Sequence, residues 1–315
     1  MENMNIINFQ DGGKYEGVFI IKDLSYPQDK NGKEYTKFTI ADSTGEIQVR
    51  QWLKNESLES SGFVKATIHC TSWNNTLSAT AAEVAMIVPS EEIRRSLIPS
   101  SYRDVEDMKR ELHDLILSIQ DEDMKKLITY AMNQTSEKFV EIPAARGMHH
   151  NELHGLLQHT LEMAKNASAI APAYPCINRD LLVTGAILHD LSKDEEFSVN
   201  ELGLVDKYSD DGNLLGHLYM GAKRVAEWCT QLNLPNDLSR CLQHMILSHH
   251  GQREWGAVQL PSTPEATALF LIDMMSSRME MYRKEYLKLD KGQTAEEVNR
   301  GLGVRVYKSL YAPDM

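Results

Sequence analysis

The sequence predicts two domains of different structural class: a small five-stranded β-barrel in residues 1–90 and an all-α helical bundle after it. Two observations support this division. The hydrophobic pattern alternates with a period of two up to about Val88, and it follows a helical period from Pro89 onward. The chain has 315 residues, which exceeds the usual size of one domain. We therefore expect a multidomain α and β protein.

Short β-rich segments separated by turn residues fill the first 90 positions. Their sequences are YEGVFIIKDL, EYTKFTIAD, EIQVRQWL, FVKATIHCTSW and LSATAAEVAMIV. Apolar and polar residues alternate within them, as is typical of strands with one buried face, and the connecting segments KNGK and DSTG have the composition of tight turns. Five such strands predict a small barrel.

From Pro89 onward the apolar residues recur at the three- and four-residue spacing of amphipathic helices. Residues 91–145 are expected to form a helical connector that packs on a bundle formed by residues 146–315. Helices are predicted near residues 121–135, 152–170, 179–190, 214–232, 236–250, 264–288 and 294–310. The last stretch is amphipathic, and it is suited to packing either on its own domain or on a second copy of the chain.

Composition excludes several classes of protein. A net charge of -12 argues against a broad electropositive surface for nonspecific binding of nucleic acid, although a local basic groove is compatible with it. No apolar run is long enough to span a bilayer, and the first residues lack the features of a signal peptide, so we expect a cytoplasmic protein with no membrane partner. The four cysteines are widely spaced and indicate reduced thiols.

The histidines are concentrated in one part of the chain, since nine of the eleven lie between residues 149 and 250. One of them adjoins Asp190 in GAILHDLSK, and imidazole beside carboxylate is ligand chemistry for a divalent metal. Asp190 and Asp273 interrupt apolar helical runs, where a buried carboxylate needs compensation such as a metal ion. Any one histidine could equally be a helix-end or core residue, but the set indicates a metal site. The candidates are His159, His189, Asp190, His217, His249, His250 and Asp273.

The order His159, His189-Asp190, Asp273 resembles the H…HD…D signature of the HD-domain metal-dependent phosphohydrolase superfamily. The segments HHNELHGLLQHTLEM, HDLSK, GHLYMG, SHHG and LPSTPEATALFLIDMM, downstream of an OB-like barrel, resemble the YhaM-type 3′→5′ exoribonuclease family. The resemblance covers nearly the whole chain. It implies an OB-fold-like nucleic-acid-binding domain in residues 1–90 and an HD domain in residues 146–315.

The resemblance also implies roles for the candidate ligands. His159, His189, Asp190 and Asp273 would be the core ligands, and a second metal position would be completed by His217, His249 and His250. Two divalent ions are expected, with manganese favoured by the resemblance; the donor types suit iron, cobalt, nickel or zinc as well. Such ions make water more acidic and offset phosphoryl charge. Lys193 would either stabilise the pentacoordinate phosphate or protonate the leaving group.

Further residues are candidates for contact with the substrate. Arg146, His149 and His150 precede the first ligand helix, where they would either contact a phosphate or only cap the helix. Arg253 and Trp255 follow the second histidine pair in a predicted loop, and a guanidinium beside an indole suits phosphate binding and base stacking. A surface loop without a ligand is the alternative interpretation.

At two positions the sequence departs from the family pattern. His154 stands where the family usually has glycine, and Phe270 stands where a histidine commonly precedes the final aspartate. Neither change is expected to remove a metal ligand. His154 is expected to narrow the substrate pocket and alter substrate preference.

OB-type barrels bind single strands by stacking bases on exposed aromatic rings while cations follow the backbone. Phe38 shares its strand face with Ile40 and is expected in the core. Residues 1–90 contain eight Lys and Arg against eleven Asp and Glu, so affinity for RNA should be modest and local. The candidates are Tyr35 and Trp73, which adjoin turns, with Lys33 and Arg50, whereas Trp52 and Lys37 are less favoured neighbours.

Three functions remain open on the sequence alone. The first, implied by the resemblance, is a metal-dependent 3′→5′ exoribonuclease that acts on single-stranded RNA, with single-stranded DNA as a further substrate. The second is a phosphodiesterase or phosphatase for nucleotides or cyclic dinucleotides. The third is a non-catalytic protein that binds single-stranded nucleic acid. Release of mononucleotides from labelled RNA separates the first from the other two.

Overall fold

The computed structural model describes residues 5–73, 76–135, 137–144, 152–199, 203 and 205–314. The chain divides into two compact units, Met1–Ser100 and Ser101–Met315. No helix among the described residues is long and apolar enough to cross a membrane.

The first unit is a closed barrel in which the strands follow the order β1-β2-β3-β5-β4. All neighbouring strands are antiparallel except β3 and β5, which are parallel. This is the arrangement of an OB-fold, so the sequence-predicted barrel is confirmed. The strands are β1 (Lys14–Ser25), β2 (Thr36–Asp42), β3 (Gly45–Gln51), β4 (Gly62–Trp73) and β5 (Thr76–Ile87).

Alternate side chains of these strands fill the barrel. Phe38 and Ile40 of β2 are fully buried, as predicted, and they face Val49 of β3 and Ile68 of β4 in one apolar cluster. Helix α1 (Glu91–Leu97) contacts β1 and β2 and belongs to this unit. The unit therefore extends past residue 90, to Ser100.

The second unit is helical, with a small hairpin of β6 (Phe197–Val199) and β7 (Val205–Tyr208) that the sequence patterns did not predict. Helices α5 and α6 are buried on nearly all sides, which places them at the centre of the unit. Its helices are α2 (Val105–Leu117), α3 (Glu122–Gln134), α4 (Lys138–Glu141), α5 (Gly155–Ile170), α6 (Arg179–Leu188), α7 (Lys193–Glu196), α8 (Asp210–Leu214), α9 (Gly216–Gln231), α10 (Asn236–Ser248) and α11 (Pro264–Tyr286).

The prediction of a helix over residues 294–310 is wrong. This stretch forms turns joined by isolated bridges between Thr294 and Tyr307 and between Asn299 and Val304. Gly303 has a φ of +72°, which no helical residue adopts, and it lies inside the tighter of these turns. The apolar residues that suggested a helical stripe therefore lie in irregular backbone.

Truncation of a barrel core side chain should destabilise the first unit. We expect Phe38→Ala to lower its free energy of unfolding by about 3–5 kcal/mol, because the ring is fully buried and leaves a cavity. Hydrogen exchange at strand amides in increasing urea measures this for the barrel itself. Val88→Ala removes an exposed apolar side chain and should cost less than about 0.5 kcal/mol. Equal costs for the two variants would contradict the assigned core.

Candidate metal centre

The predicted ligands are carried by helices and helix ends that meet inside the second unit. His159 lies on α5 and Asp273 on α11, whereas His217 is the second residue of α9. The remaining four residues follow directly after α6 or α10, where the helices end. These four are His189, Asp190, His249 and His250.

Asp190 stands at the centre of the site, with only 2% of its surface exposed. Its Oδ2 atom lies 3.3 Å from His189 Nε2 and 3.6 Å from His159 Nε2. Its Oδ1 atom lies 3.4 Å from His217 Nε2 and 3.6 Å from His249 Nε2. Each carboxylate oxygen therefore faces its own pair of imidazoles, an arrangement suited to a carboxylate shared between two cations.

Asp273 and His250 extend the two sides of the site. Asp273 Oδ1 lies 3.3 Å from His159 Nε2. Among the described residues, three groups have ligand atoms within 4.8 Å of one another, a separation at which one ion can bind all three. The groups are His217, His249 and His250; His159, His189 and Asp190; and His189, His249 and Asp273.

Backbone carbonyls determine which nitrogen of two imidazoles carries hydrogen. His189 Nδ1 lies 2.8 Å from the carbonyl oxygen of Ala186, and His249 Nδ1 lies 2.7 Å from that of Ile246. A carbonyl oxygen only accepts hydrogen bonds, so each Nδ1 must donate. In the neutral ring, Nε2 then presents its lone pair toward Asp190, as metal ligation requires.

For the other two imidazoles near Asp190, side chains rather than backbone carbonyls accept the hydrogen bond from Nδ1. Glu196 Oε1 accepts hydrogen bonds from the backbone N–H of His217 (2.9 Å) and from its Nδ1 (3.0 Å). His159 Nδ1 lies 3.2 Å from Ser276 Oγ, and that hydroxyl donates to Glu162 Oε2 at 3.0 Å. The hydroxyl proton is thus engaged with Glu162, so the oxygen accepts from His159.

The sequence patterns did not identify Glu196, Ser276 or Glu162. Ser276 lies one helical turn after Asp273, and that spacing could have indicated it. Glu196 belongs to the charged run KDEE, which is typical of a solvated surface, yet its side chain is buried. No local signal separates it from its exposed neighbour Glu195.

The residues present fit a divalent cation. Three buried atoms of the site have no hydrogen-bond partner in the described part of the chain: Asp190 Oδ1, His217 Nε2 and His250 Nδ1. Leaving such groups unsatisfied costs about 1–3 kcal/mol each, and more for a charged group. Coordination to a cation satisfies all three, and nitrogen with carboxylate oxygen is a suitable donor set.

The electrostatic balance keeps the two carboxylates charged. Burial would raise the pKa of Asp190, but His189 and Lys193 outweigh this effect and hold the pKa well below its usual range. Burial would likewise raise the pKa of Asp273, and its hydrogen bond with His159 lowers it below the ordinary value. Both groups are therefore carboxylates, the form that binds metal.

Two imidazoles of the group formed by His217, His249 and His250 are held neutral. Burial lowers the pKa of His249 well below its ordinary value, and the neighbouring His189 lowers it further. Burial and the nearby His217 also lower the pKa of His250. Neutral imidazole is the ligating form, so these shifts favour metal binding.

A cavity of about 440 Å³ opens beside the site. Lys193 lines it and donates hydrogen bonds to Asp190 Oδ2 (2.7 Å) and to the carbonyl oxygen of Ala144 (2.9 Å). Burial lowers the pKa of Lys193, but Asp190 more than compensates and raises it. Trp255 lines the cavity as well, with 55% of its surface exposed.

Other predicted substrate contacts are not brought to this cavity. Among the described residues that line it, neither Arg253 nor His154 is present. Arg253 is exposed at the start of a 3₁₀ turn. Arg146, His149 and His150 lie outside the described residues.

His154 adopts a backbone conformation that explains why glycine suits this position. It precedes α5 with φ +64° and ψ 10°, in the left-handed region, which costs a non-glycine residue about 1–2 kcal/mol. Its Nδ1 lies 2.8 Å from the carbonyl oxygen of Val140. That hydrogen bond offsets part of the strain, so the side chain is turned toward its own backbone neighbourhood.

The barrel carries a small patch of aromatic and cationic side chains on its outer face. Lys37 and Arg50 are opposite each other in the β2–β3 register. The rings of Tyr35 and Trp52, just beyond, have centroids 5.2 Å apart. Trp52 is 58% exposed, so a less favoured candidate is the most accessible ring of this patch. We call Tyr35, Lys37, Arg50 and Trp52 the outer patch.

The other two predicted barrel residues, Lys33 and Trp73, are not members of the outer patch as defined above. Lys33 is exposed in the turn before β2. Trp73 is the last residue of β4, and its side chain lies outside the described part of the structure.

Residues 156–277 of the helical unit match the model of the HD domain family. All seven candidate ligands fall in this range, and an HD domain implies binding of divalent metal.

Three relatives that match nearly the whole chain share the same description. A protein from Geobacillus sp. (strain WCH70) is 28% identical over 98% of this chain and 95% of its own length. One from Listeria welshimeri is 28% identical over 93% and 94%, and one from Halalkalibacterium halodurans is 27% identical over 93% and 92%. Each is described as 3′-5′ exoribonuclease YhaM.

Two solved structures resemble part of the chain. A replication protein A heterotrimer bound to single-stranded DNA gives a TM-score of 0.23 at 20% identity, covering 27% of this chain and 65% of that one. The second OB-fold domain of replication protein A from Methanococcus maripaludis gives 0.24 at 13%, covering 28% and 97%. The OB-type assignment of the barrel rests on its own strand order.

Loss of the acceptor for His217 should weaken metal binding. We expect Glu196→Ala to lower the affinity for the ion at the His217 side by about 10- to 100-fold, because the imidazole loses the group that orients it. Glu196→Gln keeps an acceptor oxygen and should restore most of the affinity. Isothermal titration of metal-free protein measures the effect.

The matched control is Glu195→Ala, since Glu195 is adjacent and its side chain is 55% exposed. Equal metal affinity in the Glu195 and Glu196 variants would contradict the orienting role.

Proposed function

We propose that this protein is a metal-dependent 3′→5′ exoribonuclease that hydrolyses the phosphodiester bonds of single-stranded RNA. The observation that carries the proposal is the convergence of imidazoles on both oxygens of Asp190, beside an open cavity. The similarity to relatives named 3′-5′ exoribonuclease, over 98% of the chain in one case, supports RNA as substrate and the polarity.

We propose the seven residues described above as ligands of two divalent ions, with Asp190 shared between them. Manganese is our choice of metal, from the family resemblance. When bound, divalent ions make water more acidic and offset the charge of phosphoryl oxygens. The protein's part is to hold Asp190 as a carboxylate and His249 and His250 as neutral imidazoles, and to orient the ring of His217 through Glu196.

The reaction breaks one bond and forms one. An oxygen from water bonds to phosphorus, and the bond from phosphorus to the 3′ oxygen of the preceding nucleotide breaks. One proton of the water ends on that leaving oxygen, and the terminal residue departs as a nucleoside 5′-monophosphate. The shortened strand then carries a new 3′ hydroxyl.

We propose that Lys193 stabilises the negative charge that develops on the phosphoryl group. Its ammonium group has three donors, and two are taken by Asp190 and by the carbonyl of Ala144. The third donor remains for a phosphoryl oxygen in the cavity. Of the two roles considered for Lys193, stabilisation of the phosphoryl charge is the one that leaves its hydrogen bonds to Asp190 and Ala144 unchanged.

We propose that the outer patch binds the strand some distance from its reacting end. Aromatic rings stack with bases irrespective of sequence, and Lys37 with Arg50 supplies charge for the backbone. Trp255, at the cavity, is proposed to stack with a base near the reacting phosphate.

A phosphodiesterase acting on nucleotides or cyclic dinucleotides is the second candidate. The observation in its favour is the size of the cavity, which at about 440 Å³ suits a small ligand. Activity confined to nucleotides would establish it in place of the first. Binding of single strands with no cleavage of RNA, DNA or nucleotides would instead indicate a non-catalytic binder.

Removal of the central carboxylate should abolish hydrolysis. We expect Asp190→Asn to reduce turnover of 5′-labelled single-stranded RNA by at least about 10³-fold, since the amide binds metal poorly and bears no charge. Metal content, measured by elemental analysis, should fall with activity, while circular dichroism reports the fold. Asp237→Asn is the control, because the side chain of Asp237 is 84% exposed. Unchanged turnover in Asp190→Asn would refute the site.

Loss of the exposed tryptophan in the outer patch should affect long strands selectively. Each stacked base contributes about 1–3 kcal/mol, so Trp52→Ala should lower kcat/KM by about 5- to 100-fold on strands longer than the roughly 4–16 nucleotides that an OB-fold covers. A trinucleotide should be hydrolysed at the original rate. Tyr174→Ala removes an aromatic ring that is 55% exposed outside the barrel and serves as control. Equal loss on both lengths would contradict the assignment.

A further inference from the structure

One face of the middle part of α11, over residues 270–281, lines the cavity. Phe270, Asp273, Ser277, Arg278 and Met281 all contribute to the lining, at the spacing of a single helical face. With a rise of 1.5 Å per residue, Phe270 and Arg278 are about 12 Å apart along the helix axis, and Asp273 lies between them. An aromatic ring, a candidate metal ligand and a guanidinium group therefore follow one another along this face.

The aromatic end of this face packs beside the segment that carries His249 and His250. The Phe270 ring occupies the space where a side chain on Gly251 would begin, and Gly251 follows His249 and His250 directly with φ +75°. Trp255 lies beyond, with its ring centroid 6.1 Å from that of Phe270. The two rings form an apolar wall next to the proposed metal ligands.

The cationic end of the face is formed by Arg278. This residue is exposed, and it makes no hydrogen bond or ion pair with any described residue. Arginines elsewhere in the unit, such as Arg224 and Arg283, form ion pairs with buried carboxylates. Arg278 therefore offers its donors to a ligand of the cavity, and a planar guanidinium group is suited to a phosphate.

We propose that this face binds the end of an RNA strand in a fixed order. The terminal base stacks on Phe270 and Trp255, the reacting phosphate lies at Asp273 and Asp190, and the preceding phosphate binds Arg278. The axial rise from Asp273 to Arg278, about 7.5 Å, is comparable with the spacing of successive phosphates in an extended strand. The subsite at Arg278 rests on the proposed exonuclease function and makes the protein select a strand over a mononucleotide.

Two short substrates separate the subsites. A dinucleoside monophosphate contains only the reacting phosphate, whereas a trinucleoside diphosphate contains the preceding phosphate as well. We expect Arg278→Ala to lower kcat/KM for the trinucleoside diphosphate by about 10- to 100-fold and to leave the dinucleoside monophosphate within about twofold. Arg278→Lys should restore part of the loss. Phe270→Leu should lower both values equally, since both substrates have a terminal base.

The measurements use the full chain with manganese, and Arg240→Ala is the control because the side chain of Arg240 is 76% exposed. For binding of a single strand, the slope of the logarithm of the association constant against the logarithm of the salt concentration should be shallower by about 0.7 in Arg278→Ala. That difference is the contribution of one neutralised phosphate. If the wild-type protein hydrolyses both substrates and Arg278→Ala affects both equally or neither, the subsite is refuted while the proposed function stands. If the wild type hydrolyses no RNA substrate, the proposed function fails and the subsite fails with it.

Discussion

The helical unit depends on the buried carboxylate of Asp190. A charge that is 98% removed from solvent is tolerated only when opposite charge or strong donors surround it, and Lys193 supplies both to Asp190. Among the described residues, Lys193 forms the close ion pair with Asp190, and the imidazoles lie farther off, at 3.3 to 3.6 Å. That spacing leaves room between carboxylate and imidazole for cations, so the charge balance is complete only with metal.

Two kinds of hydrogen-bond acceptor, backbone carbonyls and side chains, orient the imidazoles around Asp190. His189 and His249 both follow a helix end, and each donates from Nδ1 to a carbonyl oxygen three residues earlier. The last carbonyls of a helix lack intrahelical partners, so this bond satisfies both groups. His159 lies inside α5, where the preceding carbonyls belong to the same helix, and His217 lies at the start of α9. They take their acceptors from Ser276 and Glu196, which are distant in sequence.

This difference accounts for what the sequence could and could not predict. The candidate ligand set follows from residue type and order. The barrel follows from a period of two in five segments, and the structure confirms the barrel. Acceptors such as Glu196 depend on tertiary contacts, and no local pattern marks them. The apolar spacing over residues 294–310 resembles that of a helix. The positive φ of Gly303 and the bridged turns nevertheless give this stretch an irregular backbone.

A chain with a net charge of -12 must bind a polyanion through short-range contacts, because its overall field repels the substrate. Lys37 and Arg50 of the outer patch and Arg278 at the cavity are the cations proposed for that task. Stacking supplies affinity that does not depend on charge, and metal ions would reverse the sign of the potential at Asp190. Affinity for a strand should thus vary less with salt than in basic RNA-binding proteins, because few phosphates are neutralised.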